Sequence, residues 1–302
     1  MTSSGVFRCS VAADARGDPM LGTAPPQSRV LLVHQPGGWG PQGLVESRCD
    51  PAVARRIAAA AAGAGMRLQT IRRPGKHETG VPKGGYHVGI ADTRGDANIT
   101  WWRVDDLAEI VDELEAGWPR REPTGIDTAP LYLVCTHGRH DPCCALRGRP
   151  IANALQRLRP GRVWETTHLG GDRFAANVLV LPTGELYGRI LEETVPELVR
   201  AVDANEILAR RLRGRIGMAA VAQAALVYVS ERLAIVERDA LTAGSIRWLD
   251  STLAEVTIAA PQGDVIVAVE KQLCSPNQLT CHGPENARVR VYRGIDIRAA
   301  PA

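Results

Sequence analysis

One stretch, residues 131–172, constrains the fold more than any other. It holds three of the seven cysteines and three of the seven histidines in a chain of 302 residues. The apolar run 131–134 reads as a buried strand with Cys135 at its end. A polar loop, 136–142, carries His137 and His140 and leads into the vicinal pair Cys143–Cys144. Gly148-Arg-Pro150 is expected to open a helix, because a first turn tolerates proline, whose missing N–H is not needed there. Ile151, Ala154, Leu155 and Leu158 then recur at helical spacing. A second strand, 163–167, delivers His168, and Gly170-Gly171 bends the chain toward Asp172. Soft and borderline donors at two loop mouths are what a metal or metal–sulfur site requires.

Around this stretch the elements repeat. In the first half, strand 29–34, helix 52–64 (capped by Asp50-Pro51), strand 66–71, a hairpin 86–92/98–104 and helix 107–116 follow in order. In the second half the order is strand 131–135, helix 150–158, strands 163–167, 177–181 and 186–191, and helix 197–204. Both halves read β-α-β-β-β-α, and a repeat of this length implies two similar domains. Residues 1–27 are rich in small and turn-forming types and are expected to wrap over the first domain. The last third reads as one long helix, 206–234, with four arginines in 210–215, and then strands 246–259, 265–273 and 287–297 of a small antiparallel sheet. The fold class is therefore α/β: tandem thioredoxin-like domains, 1–120 and 121–205, followed by a small α+β domain, 206–302.

The totals exclude several classes. A net charge of +3 on this length sets up no field for nucleic acid or a membrane surface. The first residues lack the apolar core of a signal peptide, and an odd cysteine count argues against a disulfide framework, so a cytoplasmic protein with reduced or metal-bound thiols is expected.

The loop VCTHGRHDPCCALRGRPIA, followed by HLGGDRFAANVLVLPTGELYGRI, resembles the sucrase/ferredoxin-like family, whose members are similar to thioredoxin-like [2Fe-2S] ferredoxins. LLVHQPGGWG and GTAPP resemble that family's N-terminal segment. The resemblance implies that Cys135 and Cys144 ligate one iron of a [2Fe-2S] cluster and that His168 begins the second ligand pair. In related members that pair is Cys-x3-Cys or His-x3-His, whereas this chain has Asp172 at the second place. A carboxylate is a hard donor for iron in a sulfide cluster, so Cys143, His137 and His140 remain alternative fourth ligands. Gly138 is expected at positive φ, with backbone N–H groups aimed at the cluster sulfurs.

The implied function is electron transfer with a redox partner protein, a reductase or an acceptor oxidoreductase. Two other readings stand beside it. A thiol oxidoreductase could use Cys143 and Cys144, although the C-x-x-C spacing is absent. A structural zinc module could use the same donors. His34 and Cys49 hold the equivalent places in the first half without a partner pair, so that half is expected to carry no cluster. Cys274 and Cys281-His282 form a C-x6-C-H cluster that could bind zinc but lacks a clear fourth ligand, and it reads as turn chemistry. The arginines of 210–215 are a candidate docking face for an acidic partner. No paired acids stand in a glycosidase motif.

Overall fold

The computed structural model describes residues 6–75, 82–116 and 120–301. Part of the basic loop expected after the second strand, 76–81, lies outside the described residues. Contacts divide the chain into two compact units. One comprises 27–169 with 176–184, and the other 1–26, 170–175 and 185–302. The chain opens with helix α1 (Cys9–Arg16) of the second unit, where the composition suggested only a wrapping segment.

The first unit is a mixed sheet with crossover helices. Strand β1 (Arg29–His34), helix α2 (Pro51–Gly63), strand β2 (Met66–Arg72), the hairpin β3 (Tyr86–Asp92) and β4 (Asn98–Val104), and helix α3 (Ala108–Glu115) form its first half. A short strand β5 (Gly125–Asp127) pairs with β4. The second half continues with β6 (Leu131–Cys135), α4 (Pro142–Leu158), β7 (Val163–Thr166) and β8 (Val178–Leu181). Strand order is β8-β6-β7-β2-β1-β3-β4-β5. In each half the first strand runs parallel to the second, across a helix, and antiparallel to the third. The first four elements expected of each half, β-α-β-β, are thus present, and the halves share the local orders β2-β1-β3 and β7-β6-β8; the last strand and helix expected of the second half group with the other unit.

The halves join edge to edge. Antiparallel β2 and β7 meet at Ile71↔Thr166 and Arg72↔Glu165. That last pair is a buried ion pair at 2.7 Å, and Arg72 also donates to the Gly37 carbonyl. Removing one partner of such a pair costs about 3–5 kcal/mol, because the other charge stays buried. In the first half Asp50 caps α2 by accepting from the N–H groups of Ala52 and Val53. Ala54, Ile57 and Ala61 then lie on one face of α2, packed with Ile110, Val111 and Leu114 of α3 against Leu31, Val33 and Val88.

Helix α4 begins eight residues earlier than the GRP motif suggested. Asp141 is its N-cap, accepting from Cys143 N–H at 2.8 Å, and Pro142 takes the first helical position. Pro150 sits inside the helix instead of opening it. Both vicinal cysteines are therefore in a helical first turn and not in a loop.

In the second unit β9 (Glu185–Tyr187) pairs antiparallel with β10 (Leu212–Arg215), and α5 (Val195–Asp203) lies between them in sequence. The long helix expected at 206–234 is not formed. Gly214 adopts φ +144, β10 pairs with β9, and the helix, α6 (Ala220–Leu233), starts only afterwards. Arg213 is buried and donates to Thr23 and Gly170, and Arg210 pairs with Glu197, so 210–215 is not a helical docking face. The small antiparallel sheet has order β11 (Thr242–Trp248), β12 (Leu253–Ala259), β13 (Val265–Leu273) and β14 (Arg290–Ala299). The single strand expected at 246–259 is two strands, because Asp250 accepts from Thr252 and Leu253 N–H and closes a turn. Val256, Ile258, Val267 and Val269 face Val221, Ala225 and Val229 of α6 in one apolar core.

Candidate metal centre

The centre lies at the ends of β6 and β7. Strand β6 carries Cys135 at its last position, paired with Thr166 of β7, and Cys135 N–H donates to the Asn177 carbonyl. The turn that follows is closed by Gly138 N–H on Thr136 and by His140 and Asp141 N–H on the His137 carbonyl. The Asp141 cap then starts α4 and sets Cys144 facing Cys135. One donor atom each from Cys135, Cys144 and His168 lie within 4.8 Å of one another. Both sulfurs are fully buried and His168 is partly exposed. A cavity of about 230 Å³ opens over His137, His140 and His168.

Hydrogen bonding by Cys144 holds the Cys135 thiol well below its ordinary range, against burial, with further help from His168 and from the N–H of His137. The His137 N–H is thus aimed at the Cys135 sulfur. Arg67 of β2 adds a positive charge. Its guanidinium donates to the His168 carbonyl at 2.9 Å, and its attraction to Cys135 offsets part of the burial that pushes its own pKa down. Gly148 of α4 brings helix and strand together, because a Cβ there would stand 2.0 Å from the Cys135 carbonyl oxygen. Gly138 has no positive φ, contrary to expectation. A Cβ at Gly138 would instead come within 2.8 Å of the Ala145 Cβ, which explains the glycine by space.

The alternative donors separate clearly. His137 accepts from His168 N–H at Nδ1 (3.2 Å) and donates from Nε2 to the Gly40 carbonyl (2.8 Å). Burial pushes its pKa down, so the ring is a neutral brace with both nitrogens engaged. Cys143 is buried but outside the Cys135–Cys144–His168 group. His140 is exposed and stacks on His168 with ring centroids 4.0 Å apart. Asp172 is buried, opens a 3-10 turn after Gly170 and Gly171 at φ +93 and +70, and groups with the second unit.

The equivalent place in the first half is built differently. His34 ends β1 and packs edge-on against Trp164 at 5.2 Å and beside His87 at 5.8 Å. Burial pushes the Cys49 thiol up to about 11. Among the described residues neither His34 nor Cys49 joins a group able to hold a metal. In the second unit Cys274 Sγ accepts from Val289 N–H, and Cys281 meets Cys9 with sulfurs 3.7 Å apart. Sequence reading had not linked those last two, which are 272 positions apart. Arg67 and Gly148 were missed as well; the only available signal was the small residue on the apolar side of α4.

Two thiols, one drawn toward thiolate, and an imidazole fit a soft or borderline metal, including iron in a sulfide cluster. Fold and centre together define an α/β protein with a buried thiol–imidazole site that could bind a metal. The family model for sucrase/ferredoxin-like proteins matches residues 20–214, and the chain belongs to that family. No curated protein and no solved structure matches it. Among the described residues no helix is long and apolar enough to cross a membrane.

Proposed function

We propose that the protein is an electron carrier holding one [2Fe-2S] cluster, and that the two halves of its first unit are tandem thioredoxin-like domains of which only the second is loaded. The convergence of Cys135, Cys144 and His168 donor atoms within 4.8 Å carries this reading. The shared strand orders β2-β1-β3 and β7-β6-β8 support the tandem arrangement. When bound, the cluster supplies one-electron transfer. The chain's own residues prepare the place. Cys144 and His168 hold Cys135 toward thiolate, the form that ligates. Arg67 fixes the His168 backbone and places a positive charge toward Cys135. His137 orients the loop from Gly40 on one side to His168 on the other. Buried sulfurs beside a partly exposed histidine leave His168 as the edge nearest a partner protein, a reductase or an acceptor oxidoreductase. Asp172, four positions after His168, is the proposed fourth ligand.

Anaerobic purification followed by iron and acid-labile sulfide analysis tests the reading. Equimolar iron and sulfide, lost together in Cys135→Ser and Cys144→Ser, is the expected result. Zinc without sulfide would replace the carrier with a structural metal module, and metal-free protein would remove the site altogether.

A further inference from the structure

A second concave place lies on the same loop as the metal centre and is cationic. A cavity of about 380 Å³ is walled by the Gly37–Gly38–Trp39 turn on one side and by Thr136 to Arg139 on the other. Four arginines line it: Arg48, Arg72, Arg139 and Arg149. Among the described residues, Arg72 alone of the four is paired with a carboxylate. Arg72 is buried, pairs with Glu165, donates to the Gly37 carbonyl and lies 4.3 Å above the Trp39 ring. Trp39 is itself pinned, its indole N–H donating to the Gln35 carbonyl at 3.0 Å. These contacts make a fixed wall with little net charge.

The other three are different. Arg48, Arg139 and Arg149 are exposed, and among the described residues none forms an ion pair with a carboxylate. Arg48 lies against the Gly37 turn. A Cβ at Gly37, which has φ +92, would meet the Arg48 Nε at 3.3 Å, so the glycine leaves room for that side chain to lie over the turn. Three uncompensated cations lining one cavity repel one another unless an anion joins them.

We propose that this cavity binds a phosphate-bearing small molecule. Guanidinium forks match phosphate oxygens two at a time, and three of them suit a group of two or more negative charges better than a single carboxylate. The volume is in the range of small-molecule pockets. Concavity favours a small ligand over an acidic protein surface, which would need the arginines to project. The cavity shares the segment that follows Cys135, yet its arginines are not donors to the metal centre, so the inference does not rest on the electron-carrier reading.

Calorimetric titration of the whole chain, as purified anaerobically, with inorganic phosphate, pyrophosphate and ATP tests it. Saturable one-to-one binding of pyrophosphate or ATP is expected, weakening steeply with added salt. The double variant Arg139→Gln/Arg149→Gln should bind at least tenfold more weakly, and Arg48→Gln should weaken binding separately. Arg55→Gln, an exposed arginine on α2, should change nothing. Tighter binding of ATP than of pyrophosphate identifies a nucleotide; the reverse identifies free polyphosphate. An unchanged absorption spectrum in each variant separates loss of this site from loss of the metal centre. Absence of saturable binding, or equal binding by the double variant, overturns the proposal. So does tighter binding of a hexaglutamate peptide than of pyrophosphate at the same salt, which would make the cavity a protein-docking site.

Discussion

Gly148 of α4 and Cys135 of β6 touch through backbone: a Cβ on Gly148 would lie 2.0 Å from the Cys135 carbonyl oxygen. The carbonyl belongs to the residue that offers the first thiol, and the helix carries the second. Any side chain at Gly148 must therefore push the two cysteine-bearing elements apart.

Gly148→Ala is expected to destabilise the protein by at least about 1–3 kcal/mol, the usual cost of overpacking, since a strand carbonyl cannot rotate aside like a side chain. Bound metal should fall with it. Gly63→Ala, at the end of α2 with open space around it, should be neutral or slightly stabilising. Thermal unfolding and metal content of both variants make the comparison. Equal behaviour would show that helix and strand do not need the close approach.

Arg67 offers a test of electrostatics at the centre. Its positive charge faces Cys135, and reduction of a bound cluster adds negative charge there. Removing the cation should therefore lower the reduction potential. Arg67→Met is expected to shift an optical redox titration to more negative values, and Arg67→Lys to shift it less. A potential unchanged in Arg67→Met would show that the guanidinium serves only the His168 carbonyl.

The paired histidines of the first half predict a pH dependence of stability. Burial, and then neighbouring His87, Arg73 and Arg103, lower His34 from 6.5 to about 4. Burial, Arg103 and Arg73 do the same for His87, from 6.5 to about 4. Both rings are thus neutral in the folded chain while the unfolded chain takes up protons below 6.5. Stability is expected to be full above that pH, to fall as pH drops from 6.5 toward 4, and to level off below. His87 is half-exposed, so the combined loss is about 2–4 kcal/mol and not the full linkage value. Denaturant midpoints across this range should show the slope, and His34→Leu should flatten about half of it. A slope unaltered in that variant would assign the effect to other groups.

How much of this could be read beforehand depends on where the determining contacts lie in the chain. Strands 29–34, 86–92 and 98–104 and helix α2 were legible because local apolar runs and the Asp50-Pro51 cap point the same way as the packing. The start of α4 was misplaced because two proline signals compete. Asp141-Pro142 supplies a cap and a first-turn proline, while Pro150 supplies only the proline and is absorbed inside the helix. The segment 206–234 misled because its composition suits a helix, whereas pairing with β9 and the backbone of Gly214 decide for a strand. In the centre, Cys135, Cys144 and His168 were singled out by the resemblance of their loops to the family motif, and their donor atoms do lie together. Arg67 was not, because its partner His168 is 101 positions away and nothing local marks a strand arginine as facing inward. His137 stood among the candidate ligands until its two ring hydrogen bonds were visible.

The fourth ligand can now be tested between two residues. His137 has both ring nitrogens engaged, and of the remaining candidates Asp172 and His140 predict opposite outcomes. His140 is exposed and stacked on His168, so losing it removes a ring contact whether or not it ligates. Asp172 is buried, and its neighbours Gly170, Gly171 and Arg173 have no side chain that could take its place on iron. If Asp172 ligates, Asp172→Ala should lose most of the bound iron, while Asp172→Cys and Asp172→His should retain it with altered absorption. His140→Ala should then keep both iron content and spectrum. The opposite pattern assigns the position to His140: Asp172→Ala unchanged, His140→Ala depleted. His168→Ala should be at least as damaging as either, because its donor atom lies in the group with both sulfurs. Iron content and visible spectra of the five variants, prepared anaerobically side by side, separate the two assignments in one experiment.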